Sequence, residues 1–186
     1  FTMFFFLELA VIPKFLLIGI WGSGRKEYSA MKLALMLMSG SAFVLIGLLI
    51  VFFASDIGGG EHSYNLIALA AHPINLQSQL LAFPFLFAGF GVFTAMFPFH
   101  TWAPDGHSSA PTAASMFLAG ISMKLGGYGC LRVAVYLLPD AAHHYSWIIV
   151  LLAAIAIFYG SFATMMQKDL KYINAYSSVS HFGFVI

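Results

Sequence analysis

The feature that most constrains this chain is the length of its uncharged runs. Residues 33–55, 62–104 and 141–167 contain no aspartate, glutamate, lysine or arginine. Each run is at least as long as the roughly 20 apolar residues that a helix needs to cross the hydrocarbon core of a bilayer. We therefore expect an all-α fold, a polytopic bundle of transmembrane helices surrounded by lipid.

The composition excludes several other classes of protein. The 186 residues are 61% hydrophobic and 8% charged, whereas a soluble domain carries roughly a quarter of its residues as charges. The formal net charge of +1 gives no basic surface for nucleic acid, so no nucleic-acid partner is expected. A single cysteine, Cys130, forms no intramolecular disulfide and offers no thiolate cluster. The histidines at 62, 72, 143 and 144 lack paired spacing to cysteines or carboxylates, so no metal site is expected.

Six segments are predicted to cross the membrane: residues 1–21, 30–54, 78–101, 112–137, 147–166, and from 172 onward. Arg25 and Lys26 lie in the first connection, and Lys168 and Lys171 lie in the fifth. Because lysine and arginine collect in cytoplasmic loops, the odd connections are predicted to be cytoplasmic. The chain opens and stops within apolar sequence, so residues 1–186 are interpreted as one transmembrane domain, an internal fragment of a longer protein.

Two connections have a distinctive composition. Residues 55–77 are expected to be external, with glycines at 58–60 as a helix breaker and with Asp56 and Glu61 solvated. Residues 98–107 combine prolines, a glycine and polar groups close to membrane depth. Non-helical backbone at that depth must be satisfied by protein or by a water-filled cavity. We therefore predict a broken helix near Pro98–Pro104.

Glu8 and Lys124 are predicted to lie deep in the membrane on different helices. Glu8 is roughly 20 Å from the cytoplasmic end of its span, and Lys124 is roughly 18 Å from the start of its own, at about 1.5 Å per residue. A charge at this depth is costly and is commonly functional. Two opposite titratable groups at one depth can exchange protons, and they can also simply hold helices together.

His181 and a polar stripe extend this arrangement. His181 lies roughly 14 Å into the last segment, and an imidazole changes its charge near neutral pH. Gly120, Lys124, Tyr128 and Arg132 follow i, i+4 spacing and are predicted to share one helix face. Together these groups are typical of a proton pathway.

Other cations and glycines have simpler interpretations. Lys14, Lys32 and Arg132 lie near enough to span ends to extend towards the headgroups, and this is the preferred interpretation for Lys14 and Arg132. The glycines at 126, 127 and 129 are predicted to let a neighbouring helix approach closely, and they also leave room for water beside Lys124.

Two motifs resemble a known family. The first reads FPFHTWAPDGHSSAPT at residues 97–112, followed by KLGGYG at 124–129. The second reads QKDLK at 167–171, followed by AYSSVSH at 175–181. Both resemble signatures of the antiporter-like membrane subunits of NADH:quinone oxidoreductase, respiratory complex I, of the type called chain M or chain 4. The motif residues that the resemblance marks as structural are Pro98, His100, Pro104, Asp105, His107 and Pro111.

The resemblance covers the whole chain and implies helices five to ten of about fourteen. It implies proton translocation along a buried hydrophilic axis, to which Glu8, Lys32, Lys124 and His181 correspond. It also implies that NADH oxidation and quinone reduction occur elsewhere in the complex, so this chain binds no cofactor. The implied partners are the other membrane and peripheral subunits, and the implied location is a bacterial inner membrane.

One position departs from this family. Phe93 stands where the resemblance implies a seventh-helix lysine that pairs with Glu8. Either Glu8 interacts with another cation, such as Lys14 or Lys32, or the proton route is modified. Six residues at 100° each turn Lys14 away from the Glu8 face of a straight helix.

Two alternative functions stay open at this point. A subunit of a multisubunit Na⁺/H⁺ antiporter shares the ancestry that the resemblance implies. A non-pumping structural membrane subunit would use the same polar groups only to fix helix positions, and the absence of a lysine at Phe93 favours this alternative modestly.

Overall fold

The chain folds as a helical bundle, seen in a computed structural model that describes residues 2–55, 62–72 and 74–186. The helices are α1 (Thr2–Leu9), α2 (Val11–Trp21), α3 (Lys26–Ala54), α4 (Leu66–Ala71), α5 (Leu76–Thr94), α6 (Trp102–Ser109), α7 (Thr112–Phe117), α8 (Met123–Gly129), α9 (Pro139–Met166) and α10 (Leu170–Val185). A 3₁₀ turn covers Phe99–Thr101, and π-helical turns cover Leu118–Ser122 and Cys130–Val135. These described residues include no strand, and the all-α prediction is confirmed.

Four helical segments among the described residues are long and apolar enough to cross a membrane: Thr2–Trp21, Lys26–Ala54, Leu76–Ser109 and Pro139–Met166. The two other predicted spans are also helical. Residues 112–137 form a helical run that the two π turns interrupt, and α10 has 16 residues. The chain is therefore an integral membrane protein, and the predicted transmembrane bundle is confirmed.

The second connection contains an element that the sequence did not predict. Helix α4 follows Asn65, whose side-chain oxygen accepts from the N–H of Ile67 over 3.0 Å and caps the helix. The predicted breaker at 58–60, with Asp56 and Glu61, lies outside the described residues.

Proline perturbs the first span. Pro13 has no N–H, and its ring crowds the carbonyl of Leu9 four residues earlier. Helix α1 ends at Leu9 and α2 begins at Val11, and Ala10 between them keeps right-handed helical dihedrals, with φ of −72° and ψ of −12°. Thr2–Trp21 is therefore one helical span with a single-residue irregularity near its middle.

The predicted break after α5 is also present. Helix α5 ends at Thr94, and Ala95 adopts the left-handed conformation with φ of 57°. The N–H of Met96 donates to the carbonyl of Gly91 over 2.9 Å, and the indole N–H of Trp102 donates to the carbonyl of Val92 over 2.9 Å. Protein groups thus satisfy the backbone at this irregular point, as lipid requires.

The odd connections lie together at one end of the bundle. The N–H of Ser23 donates to the carbonyl of Ser109 over 2.9 Å, and the Lys171 ammonium donates to the carbonyl of Ala110 over 3.0 Å. At the other end, the Gln79 amide donates to Asp140 over 3.2 Å. The two basic connections therefore share one end, as the charge pattern predicts. That this end faces the cytoplasm stays a prediction.

Small residues let the long helices approach closely. A Cβ atom added to Gly89 of α5 would lie 2.7 Å from the carbonyl oxygen of Gly40 in α3. A Cβ added to Gly160 of α9 would lie 2.8 Å from the backbone nitrogen of Ser180 in α10. Close backbone approach through glycine is the usual packing of helices in lipid.

Candidate functional site

Lys124 and His181 line one groove. The groove lies between the 112–137 segment and α10, has a volume of about 670 Å³, and is also lined by Lys171, Asn174 and Ser178. Both Lys124 and His181 are exposed on its walls within this chain. The structure thus brings two of the four predicted axis residues to one groove. Polar side chains continue along the groove towards the basic end of the bundle.

Lys124 lies between two wide turns of its helix. The π turns Leu118–Ser122 and Cys130–Val135 flank the seven-residue α8 that carries it. These turns change the angular spacing of the side chains, and π turns within α-helices occur frequently at functional sites.

Members of the predicted polar stripe line two different cavities. Gly120 and Lys124 face the groove, whereas Tyr128 lines a separate cavity with Met3 and Phe90. The Arg132 guanidinium lies 4.5 Å from the centre of the Tyr136 ring. Lys124 and Tyr128 both lie within α8, where residues at i and i+4 share a face, and a stripe of all four residues stays a prediction.

The face of α8 opposite the groove packs on α5. A Cβ added to Gly126 would lie 2.8 Å from the Phe93 Cβ and 2.8 Å from the Thr94 backbone nitrogen. Phe93 is 1% exposed. Gly126 therefore serves helix packing, which was one of its two sequence interpretations, and the apolar Phe93 lies directly beneath the helix that carries Lys124.

Lys32 forms an ion pair with Asp105. The Lys32 ammonium donates to the Asp105 carboxylate over 2.6 Å, and the two side chains are 25% and 21% exposed. The pair joins α3 to α6. Sequence reasoning assigned Asp105 to the structural motif and Lys32 to the axis, and it did not connect them, because they lie 73 residues apart.

His100 belongs to an aromatic cluster near this ion pair. Its ring lies 4.8 Å from the Tyr159 ring, and Tyr159 lies 6.2 Å from Tyr176, centre to centre. Tyr176 interacts electrostatically with Asp105. The cluster therefore connects the break after α5 with α9 and α10.

The other motif residues occupy positions that shape the same region. His107 is 2% exposed, and its Nδ1 lies 2.8 Å from the Ser115 hydroxyl. Pro98 immediately precedes the 3₁₀ turn, Pro104 lies in the first turn of α6, and Pro111 precedes α7. The first turn of a helix tolerates proline because its N–H groups have no helical partner there.

Glu8 and Lys14 form a second polar site. Lys14 is 2% exposed, so the prediction that it extends towards the headgroups is wrong. The carboxylate of Glu8 interacts electrostatically with Lys14. Within residues 2–55, 62–72 and 74–186 no ion pair joins Glu8 to Lys124.

The burial of Lys14 had a signal in the sequence. Val11, Lys14 and Ile18 are spaced at i, i+3 and i+7, which marks one face of a helix. That face is the buried one. The apolar neighbours on both sides of Lys14 therefore indicated that it points into the bundle.

Comparisons with known proteins give consistent matches. A family model described as "NADH:quinone oxidoreductase/Mrp antiporter, TM" matches residues 1–186. The chain is 41% identical over 186 residues to NAD(P)H-quinone oxidoreductase chain 4 2 of Thermosynechococcus vestitus, covering 99% of this chain and 34% of the relative. It is 40% identical over 185 residues to NADH-quinone oxidoreductase subunit M of Rickettsia prowazekii, covering 98% of this chain and 36% of the relative. The chain thus spans about a third of the length of these relatives.

Solved structures match as well. A chain of respiratory complex I from Thermus thermophilus with bound NADH aligns with a TM-score of 0.87 and 28% identity, covering 97% of this chain and 38% of that one. A chain of the membrane-bound sulfane sulfur reductase, an archaeal respiratory membrane complex, aligns with a TM-score of 0.84 and 25% identity, covering 97% and 36%. The predicted resemblance is confirmed. This chain belongs to the transmembrane family of NADH:quinone oxidoreductases and Mrp antiporters.

Proposed function

We propose that this chain is part of the proton-translocating membrane arm of an NADH:quinone oxidoreductase in a bacterial inner membrane. The observation that carries the proposal is the groove that Lys124 and His181 both line, within a transmembrane bundle of this family. The curated relatives, named as subunits of NADH- or NAD(P)H-quinone oxidoreductases, favour that complex. We further propose that the chain is one domain and corresponds to helices five to ten of such a subunit.

The proposed pathway contains two sites. Glu8 lies at one of them, in α1, and Lys124 and His181 lie at the other, across the groove. Lys32, paired with Asp105, lies at the basic end of the bundle and links the pathway to that side. Protons move between these groups when neighbouring subunits change state, and NADH oxidation and quinone reduction take place in other subunits.

The energy scale of the work favours buried titratable groups. Moving one proton outward costs about 2.3 kcal/mol per 100 mV of membrane potential. A change of one unit in the pKa of a site corresponds to about 1.36 kcal/mol. Modest changes in the surroundings of such groups are therefore sufficient in size to drive a proton across.

The experiment replaces Lys124 in the full-length subunit within its complex. We expect Lys124→Ala to abolish proton translocation while assembly is retained, because a methyl group carries no proton along the groove. The measurement is NADH-driven acidification of inverted membrane vesicles, with complex content determined on native gels. Arg132→Ala is the matched control, since Arg132 is a cation of the same segment that stacks on Tyr136 outside the groove. Undiminished acidification in Lys124→Ala vesicles would contradict the proposal.

The family description also covers Mrp antiporters, which gives a second candidate function. A multisubunit Na⁺/H⁺ antiporter would move protons against sodium without quinone chemistry. Sodium-dependent proton flux in vesicles without NADH would favour it over the oxidoreductase. Normal pumping after Glu8→Gln would instead favour a structural subunit.

A further inference from the structure

Lys14 is buried among protein side chains although lysine is strongly hydrated. It is 2% exposed and shares the inward face of α2 with Val11 and Ile18. Its ammonium has three donors, and among the described residues its Nζ atom has no hydrogen-bond partner. A buried cation in such surroundings requires an opposite charge nearby, because burial of an unpaired charge is strongly unfavourable.

Glu8 supplies that charge. Its carboxylate interacts electrostatically with Lys14, and its Oε2 atom is buried and likewise unpartnered in the part of the chain that the structure describes. In a straight helix, six residues separate the two side chains by about 120° around the axis. Ala10 keeps right-handed helical dihedrals between them, so Glu8 acts on Lys14 across this offset and without a direct ion pair.

A cavity adjoins Lys14 and leads towards the helix of Lys124. It has a volume of about 130 Å³, and its polar lining groups are Lys14 and Ser122. Leu125, the residue after Lys124, lies on the same wall. The remaining lining residues are apolar, and the Lys14 Nζ atom itself is buried, so the cavity meets the side chain of Lys14 below its ammonium.

The α5 helix provides no competing cation at this point. Phe93, which is 1% exposed, packs against Gly126 on the other side of the Lys124 helix. Lys32 is already paired with Asp105 over 2.6 Å. Lys14 is therefore the lysine whose burial and electrostatic interaction both connect it with Glu8.

We propose that Lys14 is the buried cation with which Glu8 exchanges a proton. The proposal rests on the proposed function and adds a residue to its pathway. A proton that leaves the Lys14 ammonium for the Glu8 carboxylate gives a neutral amine and a neutral acid. The total charge of the pair is unchanged, and the step requires no oxidant or reductant.

The test replaces Lys14 with methionine in the full-length subunit of the assembled complex. We expect the initial rate of NADH-driven proton translocation to fall by about tenfold, which corresponds to about 1.4 kcal/mol of activation free energy. Lys168→Met, which removes an exposed cation from the fifth connection, should leave this rate unchanged. If Lys14→Met does not assemble, Lys14→Gln is measured in the same way, and the same loss is expected.

A purely structural lysine predicts a different result. Methionine has a similar shape and carries no buried charge, so its substitution would then leave pumping intact or improve assembly. The double variant Lys14→Met with Glu8→Gln provides a second criterion. If the two residues act as a unit, the double variant should pump no less than the poorer of the two single variants. Multiplicative losses in the double variant would overturn the proposed exchange.

The outcomes separate this proposal from the proposed function. If wild-type vesicles fail to pump, or if Lys124→Ala pumps normally, then the proposed function fails. If Lys124→Ala loses pumping while Lys14→Met retains it, then the role of Lys14 alone is overturned.

Discussion

Individual residues in this bundle differ in how their charge is compensated. Lys32 has a direct ion pair with Asp105 at 2.6 Å, and each side chain keeps about a fifth to a quarter of its surface exposed. Lys14 has no such direct contact and is almost completely enclosed. The first arrangement is suited to holding α3 against α6, whereas the second leaves the ammonium available to Glu8.

A double-mutant cycle on Lys32 and Asp105 is the prediction at this scale. We expect Lys32→Met and Asp105→Asn each to destabilise the subunit by about 1–2 kcal/mol, between the values for exposed and for buried pairs. The double variant should lose less than the sum of the two, because removing either partner already breaks the pair. The measurement is thermal inactivation of the detergent-purified complex, and additive losses would show that the pair contributes nothing.

At the scale of elements, hydropathy predicted where the spans lie but not how they are interrupted. The segment 112–137 has the predicted bounds, yet no local motif in its sequence marked the two π turns. The break near Pro98 was predictable because proline leaves the helix without a donor. The irregularity at Ala10 follows from the same rule at Pro13. The buried environment of Lys14 was missed because its distance from the span end was considered and the helix face that it shares with Val11 and Ile18 was not.

Two glycines of the 112–137 segment provide a matched pair of substitutions that tests helix packing. Gly126→Ala should destabilise the subunit by about 1–3 kcal/mol, because the new methyl group meets backbone atoms of α5 that cannot move aside. Gly120→Ala should be neutral, or stabilising by up to about 1 kcal/mol, since its Cβ would meet nothing within 4 Å. Assembled complex on native gels and its thermal stability measure both. Equal effects of the two variants would contradict the packing assigned to Gly126.

For the whole molecule, the charge pattern and the hydrogen bonds agree on how the connections are distributed. The sequence predicted that the first and fifth connections share a side, and contacts of Ser23 and Lys171 with the third connection bring them to one end. The groove between the 112–137 segment and α10 was not predictable, because it depends on how helices far apart in the chain pack together.

Thiol labelling tests the orientation of the bundle. Cys130 is 1% exposed, so the natural thiol should give little background. We expect Lys168→Cys to react with an impermeant maleimide in inverted vesicles and His143→Cys to react in spheroplasts, because these exposed positions lie at opposite ends of α9. Labelling of both positions from the same side would contradict the predicted topology.

The wide turns on either side of Lys124 have a mechanical consequence. A π turn holds one residue more than an α turn, so tightening one of them to α geometry shifts the following residues by about 100° around the helix axis. Neighbouring side chains of α8 already point to different partners, with Lys124 towards α10 and Leu125 towards α1 and α2. A register change of a single residue in this short stretch would therefore turn the Lys124 ammonium from the groove beside α10 towards the cavity beside α1 and α2. The long helices would not be displaced.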